Sequence, residues 1–208
     1  MAVLDTQVDP PTLRRVSYLD TPDLALHRRG VVLRVRLTEG VGADVVVKLR
    51  KPVLQAGELA NRKLTIELDA LPTAVLWSGT LKRRLQPDDA HHALRSRCAA
   101  RRLLTKAQRQ LLSSAAGGLD VDDLVTLGPV DVVRLSSRYA GGRIAVESWT
   151  YPDRSRVVEL SAKCCPQQFP EIAAALRNLI VQRSITLSRL QTTKTRISLQ
   201  CLAQHLAP

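Results

Sequence analysis

The stretch from Tyr18 to Leu37, YLDTPDLALHRRGVVLRVRL, decides the fold: it reads as a strand, a sharp turn and a second strand. Asp20-Thr21-Pro22-Asp23 is dense in residues that close turns and cap helices, Pro22 suits a first helical position, and Gly30 suits a left-handed C-terminal stop. The spacing therefore predicts a short helix over Leu24–Arg29 between the strands. In the second strand, side chains alternate between faces, so Val32, Arg34 and Arg36 fall together against Val31, Leu33, Val35 and Leu37. One face is apolar and the other carries guanidinium groups.

The same pattern extends outward in both directions. Arg14–Leu19 sets Arg14, Val16 and Tyr18 opposite Arg15, Ser17 and Leu19, and Asp44–Arg50 sets Val46, Lys48 and Arg50 opposite Val45, Val47 and Leu49. Further alternating stretches are Lys63–Asp69 (Thr65, Glu67 and Asp69 on one face), Val130–Tyr139 (Val132, Arg134, Ser136 and Arg138) and Arg143–Trp149 (Arg143, Ala145, Glu147 and Trp149). Ser155–Lys163 groups Val157, Glu159, Ser161 and Lys163, and Gln191–Leu199 is expected to form the last strand, with Lys194, Arg196 and Ser198 together. Any one of these fits an antiparallel sheet with one wet face. What distinguishes the set is that its polar positions are repeatedly Arg and Lys.

Between the strands, Pro52–Asn61 reads as a loop and Thr73–Leu85 as a mixed connector. From Asp88 the period turns helical, with Leu94, Cys98, Leu104, Ala107 and Leu111 forming a stripe that Gly117-Gly118 ends. Pro170–Gln182 is an amphipathic helix with Ile172, Leu176, Leu179 and Ile180 on its apolar side. The adjacent His91 and His92 cannot share one helix face, which argues against a metal site there.

Composition narrows the function classes. The 208 residues are 45% hydrophobic, enough for a packed core, and carry a formal charge of +12 that suits a polyanionic partner or a solvated basic surface. Aromatic residues make up only 3%, which argues against a base-stacking platform for single-stranded nucleic acid. No apolar run reaches the about 18 residues of a membrane span, and no secretory signal is apparent at Met1, so a cytoplasmic protein without a membrane partner is expected. Cys98, Cys164, Cys165 and Cys201 lack the paired spacing of a metal site and read as buried or idle thiols.

Tyr18-x-Asp20-Thr21-Pro22-Asp23-Leu24 followed by Gly30-x-x-Leu33-Arg34-x-Arg36 resembles the CYTH family, the triphosphate tunnel metalloenzymes that include class IV adenylate cyclases and thiamine triphosphatases. Lys48-x-Arg50, the run from Trp149 to Lys163, and Gln191-Thr-Thr-Lys-Thr-Arg196 resemble further strands of that family, so the likeness spans about Arg14 to Leu199. It departs from the family at the start. Met1–Pro11 carries no Glu-x-Glu-x-Lys strand, and Asp5 and Asp9 are the only acids before the Tyr18 block.

The resemblance implies an α+β fold: an antiparallel β-barrel, or tunnel, with a charged interior and helices packed outside. One domain over residues 12–199 is expected, with strand-rich halves at about 12–72 and 129–199 and a helical insert at about 82–116. The implied triphosphate-binding set is Arg34, Arg36, Lys48, Arg50, Arg134, Arg138, Lys163, Lys194 and Arg196, with Lys163 and Arg36 in catalytic roles. Mg2+ or Mn2+ is the implied cofactor, with Glu67, Glu147 and Glu159 as its carboxylate ligands. The expected function is metal-dependent hydrolysis of inorganic triphosphate or a nucleoside or organic triphosphate, ahead of cyclisation to cyclic AMP, for which no base pocket is evident. The alternative is a binding module for polyphosphate, nucleotide or RNA that kept the cationic wall and lost the metal. A third reading uses the basic stretch Lys82–Arg109 on nucleic acid.

Overall fold

In the computed structural model, residues 9–50, 64–70, 75–139, 142–164, 166–189 and 192–206 are described, without the side chains of 67–70, 75–77, 139, 163, 164 and 166. Eight strands run in the order β1 (Thr12–Asp20), β2 (Val31–Thr38), β3 (Gly42–Arg50), β4 (Thr65–Ala70), β5 (Val75–Leu85), β6 (Val125–Tyr139), β7 (Gly142–Thr150) and β8 (Arg156–Cys164). They pair antiparallel around a closed ring, β1-β2-β3-β5-β4-β8-β7-β6, with β6 returning to β1. The expected antiparallel barrel is present.

Closure turns the alternation of each strand into an inside and an outside. Register sets Tyr18 opposite Arg34, Arg34 opposite Val46, and Val46 opposite Lys82, so the polar face of β2 continues around one wall. On the other wall Arg134 lies opposite Glu147, and Glu147 opposite Glu159. The seam between β1 and β6 slips by a residue between Val16 and Tyr18, where Gly128 takes φ +109° and a Cβ would approach the Val16 carbonyl oxygen to 3.2 Å. Only glycine accepts both conditions easily.

The outer faces are apolar and are sheathed. Leu19, Leu33, Val35, Val45, Val47 and Leu49 form one buried cluster with Ala90, Leu103, Leu111 and Leu112. The latter come from α2 (Pro87–Leu94), α3 (Ala99–Leu103) and α4 (Lys106–Ala115), which follow the very short α1 (Ala25–Arg28) in the chain. Buried Gln108 fastens α4 to the wall by donating to the carbonyls of Val45 at 3.3 Å and Leu81 at 3.0 Å. On the opposite side Ile144 and Ala162 pack with Ile172, Leu176 and Leu179 of α5 (Phe169–Gln182).

Four local expectations change. The helix after Pro22 is shorter, with Leu24 as a left-handed N-cap at φ 60°, and Pro22 lies in the preceding turn, closed by a 2.8 Å bond from Leu24 N to Thr21 O. The connector expected from Thr73 is instead strand β5 from Val75, so Lys82 is a strand residue and the helices begin only at Pro87. Cys98, expected on the apolar stripe of the helical insert, is exposed. The last expected strand is a helix, α6 (Lys194–Gln204), capped by Thr193, whose hydroxyl accepts from Arg196 N at 3.3 Å. Its buried positions Thr195, Ser198, Leu199 and Leu202 follow a helical, not a strand, period.

Helix α6 also gives the barrel a second, internal core. Leu199 and Leu202 pack with Val16, Tyr18, Val32, Val130, Val132, Trp149 and Tyr151, all on inward positions near one end of the strands. That end is filled with apolar side chains, and the charged positions occupy the rest of the lumen. The loop expected over Pro52–Asn61 lies outside the described residues.

Candidate functional site: a charged lumen

The block that opens the fold also braces the site. Buried Asp20 accepts backbone N–H from Thr21 and Leu26 at 2.8 Å and from His27 at 3.0 Å, and the Thr21 hydroxyl accepts from Ala25 N at 2.8 Å. These bonds satisfy the free donors at the start of α1 and fix the turn between β1 and β2. Burial pushes the Asp20 carboxyl up, against the pull of those three N–H groups. The physical content of Asp-Thr-Pro-Asp is therefore a capped turn that sets where Arg34 and Arg36 enter the lumen.

Two adjoining chambers lie inside. The larger, of about 130 Å³, is lined by Arg34, Lys48, Arg50, Arg134, Arg143, Glu159, Ser161 and Lys194 among others. The smaller, of about 90 Å³, is lined by Arg14, Arg36, Glu147 and Trp149, and it shares Arg34, Lys48, Arg134 and Lys194 with the first. Among the described residues, eight basic side chains thus face two carboxylates across these chambers. Such an excess in a partly desolvated space favours an anionic guest.

Glu147 is the hub of the smaller chamber. Its Oε1 accepts from Arg14 at 3.2 Å and Arg134 at 2.7 Å, and its Oε2 accepts from Lys194 Nζ at 2.5 Å and Trp149 Nε1 at 3.3 Å. Burial alone would raise its pKa, but the Lys194 and Arg134 charges and hydrogen bonds overcome this and hold it at about 2. Lys194 also reaches Glu159 Oε1 at 2.6 Å, and its Nζ lies 5.4 Å from the Trp149 ring centroid. Burial works against the Lys194 charge, yet Glu147 and Glu159 hold its pKa above the usual lysine value. Arg14 is lowered to about 10 by burial first and then by the Arg36 and Arg134 charges, with Glu147 opposing.

At the far end of the lumen Arg36 donates from Nε at 3.1 Å and Nη2 at 2.7 Å to Asp44 Oδ2, which Lys82 approaches at 3.4 Å. Arg34 differs from its neighbours. Among the described residues its guanidinium has no carboxylate partner, and its buried Nε has no hydrogen-bond partner.

Of the residues expected from sequence, Arg34, Arg36, Lys48, Arg50, Arg134, Lys194, Glu147 and Glu159 are brought together around the lumen. Arg138 is exposed near the end of β6 and lines neither chamber. Arg196 is exposed as well: on a helix it does not share the Lys194 direction as it would on a strand, and it lies instead near His27, whose pKa is lowered by burial and then by the Arg196 and Arg50 charges. Lys163 and Glu67 sit in β8 and β4, but their side chains lie outside the described residues.

Arg14, Asp44 and Arg143 are lumen residues that the sequence reading did not select. The signal was available, because Arg14 shares a strand face with Val16 and Tyr18, and Asp44 shares one with Val46 and Lys48. Among the described residues, no group of three or more His, Cys, Asp or Glu side chains stands close enough to hold a metal ion.

The class this architecture defines is an antiparallel barrel with a cationic lumen and an apolar exterior under helices, as the CYTH resemblance implied. Among solved structures the chain is similar to HpAC1, a candidate adenylyl cyclase from Hippeastrum described as having a dominant triphosphatase activity. The TM-score is 0.69 at 13% identity, over 92% of this chain and 83% of that one. A candidate adenylate cyclase from Bacillus halodurans aligns with a TM-score of 0.63 at 16% identity, over 89% of this chain and 82% of the other. These likenesses establish the fold. No protein-family model and no curated protein matches the sequence.

Proposed function

We propose that the lumen binds the triphosphate chain of a small molecule or a short inorganic polyphosphate. The observation that carries this reading is Arg34, an inward guanidinium between two chambers that has no carboxylate partner among the described residues, while Arg14, Arg36 and Arg134 each have one. A linear triphosphate supplies several negative charges along one axis, which suits cations spread over five strands and a helix. The triphosphatase activity ascribed to HpAC1 supports the same ligand class.

Metal-dependent hydrolysis of that triphosphate, with Arg36 and Lys163 as its catalytic residues, is the enzymatic form of this reading. Among the described residues, the donor set does not fit the implied Mg2+ or Mn2+ as it stands. Two carboxylate oxygens offer about four acceptor positions, and those of Glu147 are taken by Arg14, Arg134, Lys194 and Trp149. The binding-module reading is favoured by that saturation.

Calorimetry with inorganic tripolyphosphate, run beside phosphate release from tripolyphosphate and ATP with and without Mg2+ or Mn2+, tests both. Saturable binding that Arg34→Ala weakens by about tenfold or more is expected. Absence of binding under every condition would refute the reading, and metal-dependent turnover would select its enzymatic form. The nucleic-acid surface has weaker support, since Arg101 is engaged by Asp122, and Arg83 and Arg109 donate to backbone carbonyls of neighbouring helices.

A further inference from the structure

We infer that Lys194 is the resident cation of this tunnel, standing between Glu147 and Glu159 where a divalent ion would otherwise bridge them, so that the chain binds its polyphosphate without metal. The inference rests on the triphosphate reading for its ligand and on the geometry of Lys194 for everything else.

The register of β7 and β8 places Glu147 directly opposite Glu159 on the lumen face. Two like charges at facing positions repel and need a cation between them. Lys194 Nζ provides it, at 2.5 Å from Glu147 Oε2 and 2.6 Å from Glu159 Oε1. Both contacts are charge-assisted hydrogen bonds, so an incoming ion would have to break them and pull the ammonium out. The remaining oxygen of Glu147 is occupied by Arg14 and Arg134, so among the described residues a metal bridging this pair would have to displace Lys194.

The ammonium is delivered by a built element rather than by a surface side chain. Thr193 caps α6 immediately before Lys194, and Leu199 and Leu202 anchor the same helix in the apolar end of the barrel. Ser198 Oγ donates at 2.8 Å to the Lys194 carbonyl, tightening that first turn. Cap, anchor and ammonium therefore move together. A lysine ammonium has three N–H donors, and two go to the carboxylates. The third is available for a phosphate oxygen, so the side chain that replaces the ion also replaces its contact to the ligand.

The experiment is a Mn2+ titration followed by electron paramagnetic resonance on the wild-type chain, Glu159→Gln, Lys194→Met and Lys194→Met/Glu159→Gln. Tripolyphosphate calorimetry in EDTA and in Mg2+ accompanies it. The wild type is expected to leave the free Mn2+ signal unchanged, Lys194→Met to take up the ion, and the double variant to lose it again. Tripolyphosphate affinity of the wild type is expected to agree within about twofold between EDTA and Mg2+, and Lys194→Met is expected to weaken it by about tenfold in EDTA.

Mn2+ uptake by the wild type that Glu159→Gln abolishes overturns the inference, and this arm decides even if the Lys194 variants do not fold. A folded Lys194→Met that takes up no Mn2+ overturns it as well. If tripolyphosphate binds in neither buffer, the triphosphate reading fails, while the Mn2+ arms still decide the place of Lys194.

Discussion

Glu147 joins three cations and an indole in one buried contact set, and neutralising it leaves Arg14, Arg134 and Lys194 to repel one another. Removing one partner from such a cluster costs about 3 kcal/mol or more, so Glu147→Gln should shift the urea midpoint strongly downward. The sign of its pH dependence follows from the depressed pKa. The contribution is fully present above the usual carboxyl value of 4.5 and is lost as pH falls toward about 2, so wild-type acid unfolding should steepen there and the Gln variant should show a flatter acid limb. Arg34 makes the opposite case. It is a cation without a carboxylate partner among the described residues, so Arg34→Ala should lose tripolyphosphate affinity while urea stability holds or rises slightly. At the turn, Asp20→Ala orphans three backbone donors and should cost about 2 kcal/mol. Asp20→Asn keeps the Oδ1 acceptor for Thr21 and Leu26 and should cost less in the same measurement.

Elements were legible in proportion to how far their pattern repeats. The wall β1, β2, β3, β6, β7 and β8 was readable because cationic and apolar residues alternate over several periods, and a closed barrel is the arrangement that hides the apolar side of all of them under helices. Strand β5 was not readable: Trp77-Ser78-Gly79-Thr80 interrupts its alternation, and its place between β3 and β4 is set by pairing rather than by its own pattern. Helix α6 was misread because Lys194, Arg196 and Ser198 happen to alternate, whereas Thr195, Ser198, Leu199 and Leu202 carry the helical spacing that packing selects. That spacing yields a prediction at this scale. Leu202→Ala removes an anchor from the internal core and should cost about 2 to 4 kcal/mol in urea unfolding. By loosening the helix that holds Lys194, it should also weaken tripolyphosphate binding although Leu202 lines neither chamber.

For the molecule as a whole, the formal charge of +12 and the cationic lumen make anion capture sensitive to ionic strength. Tripolyphosphate affinity should fall by about an order of magnitude for a several-fold rise in salt, measured by calorimetry at constant pH. Reversing charge at Arg101 and Arg102, both exposed on α3, should leave that affinity within about twofold, because neither lines the lumen. The ring itself carries a further consequence, through the distance in sequence between the strands that close it. Strand β1 meets β2 almost at once but meets its other neighbour, β6, only after more than a hundred intervening residues have been placed. Closing so long a loop is slow, since its entropy cost falls before its contacts form. Helix α6 packs its Leu199 and Leu202 against residues that β1, β2, β6 and β7 bring together, so its docking, and with it the placing of the Lys194 ammonium, depends on that closure. In refolding, recovery of tripolyphosphate binding should lag recovery of β-sheet circular dichroism, and ligand capture would then serve as the clock for the final stage of assembly.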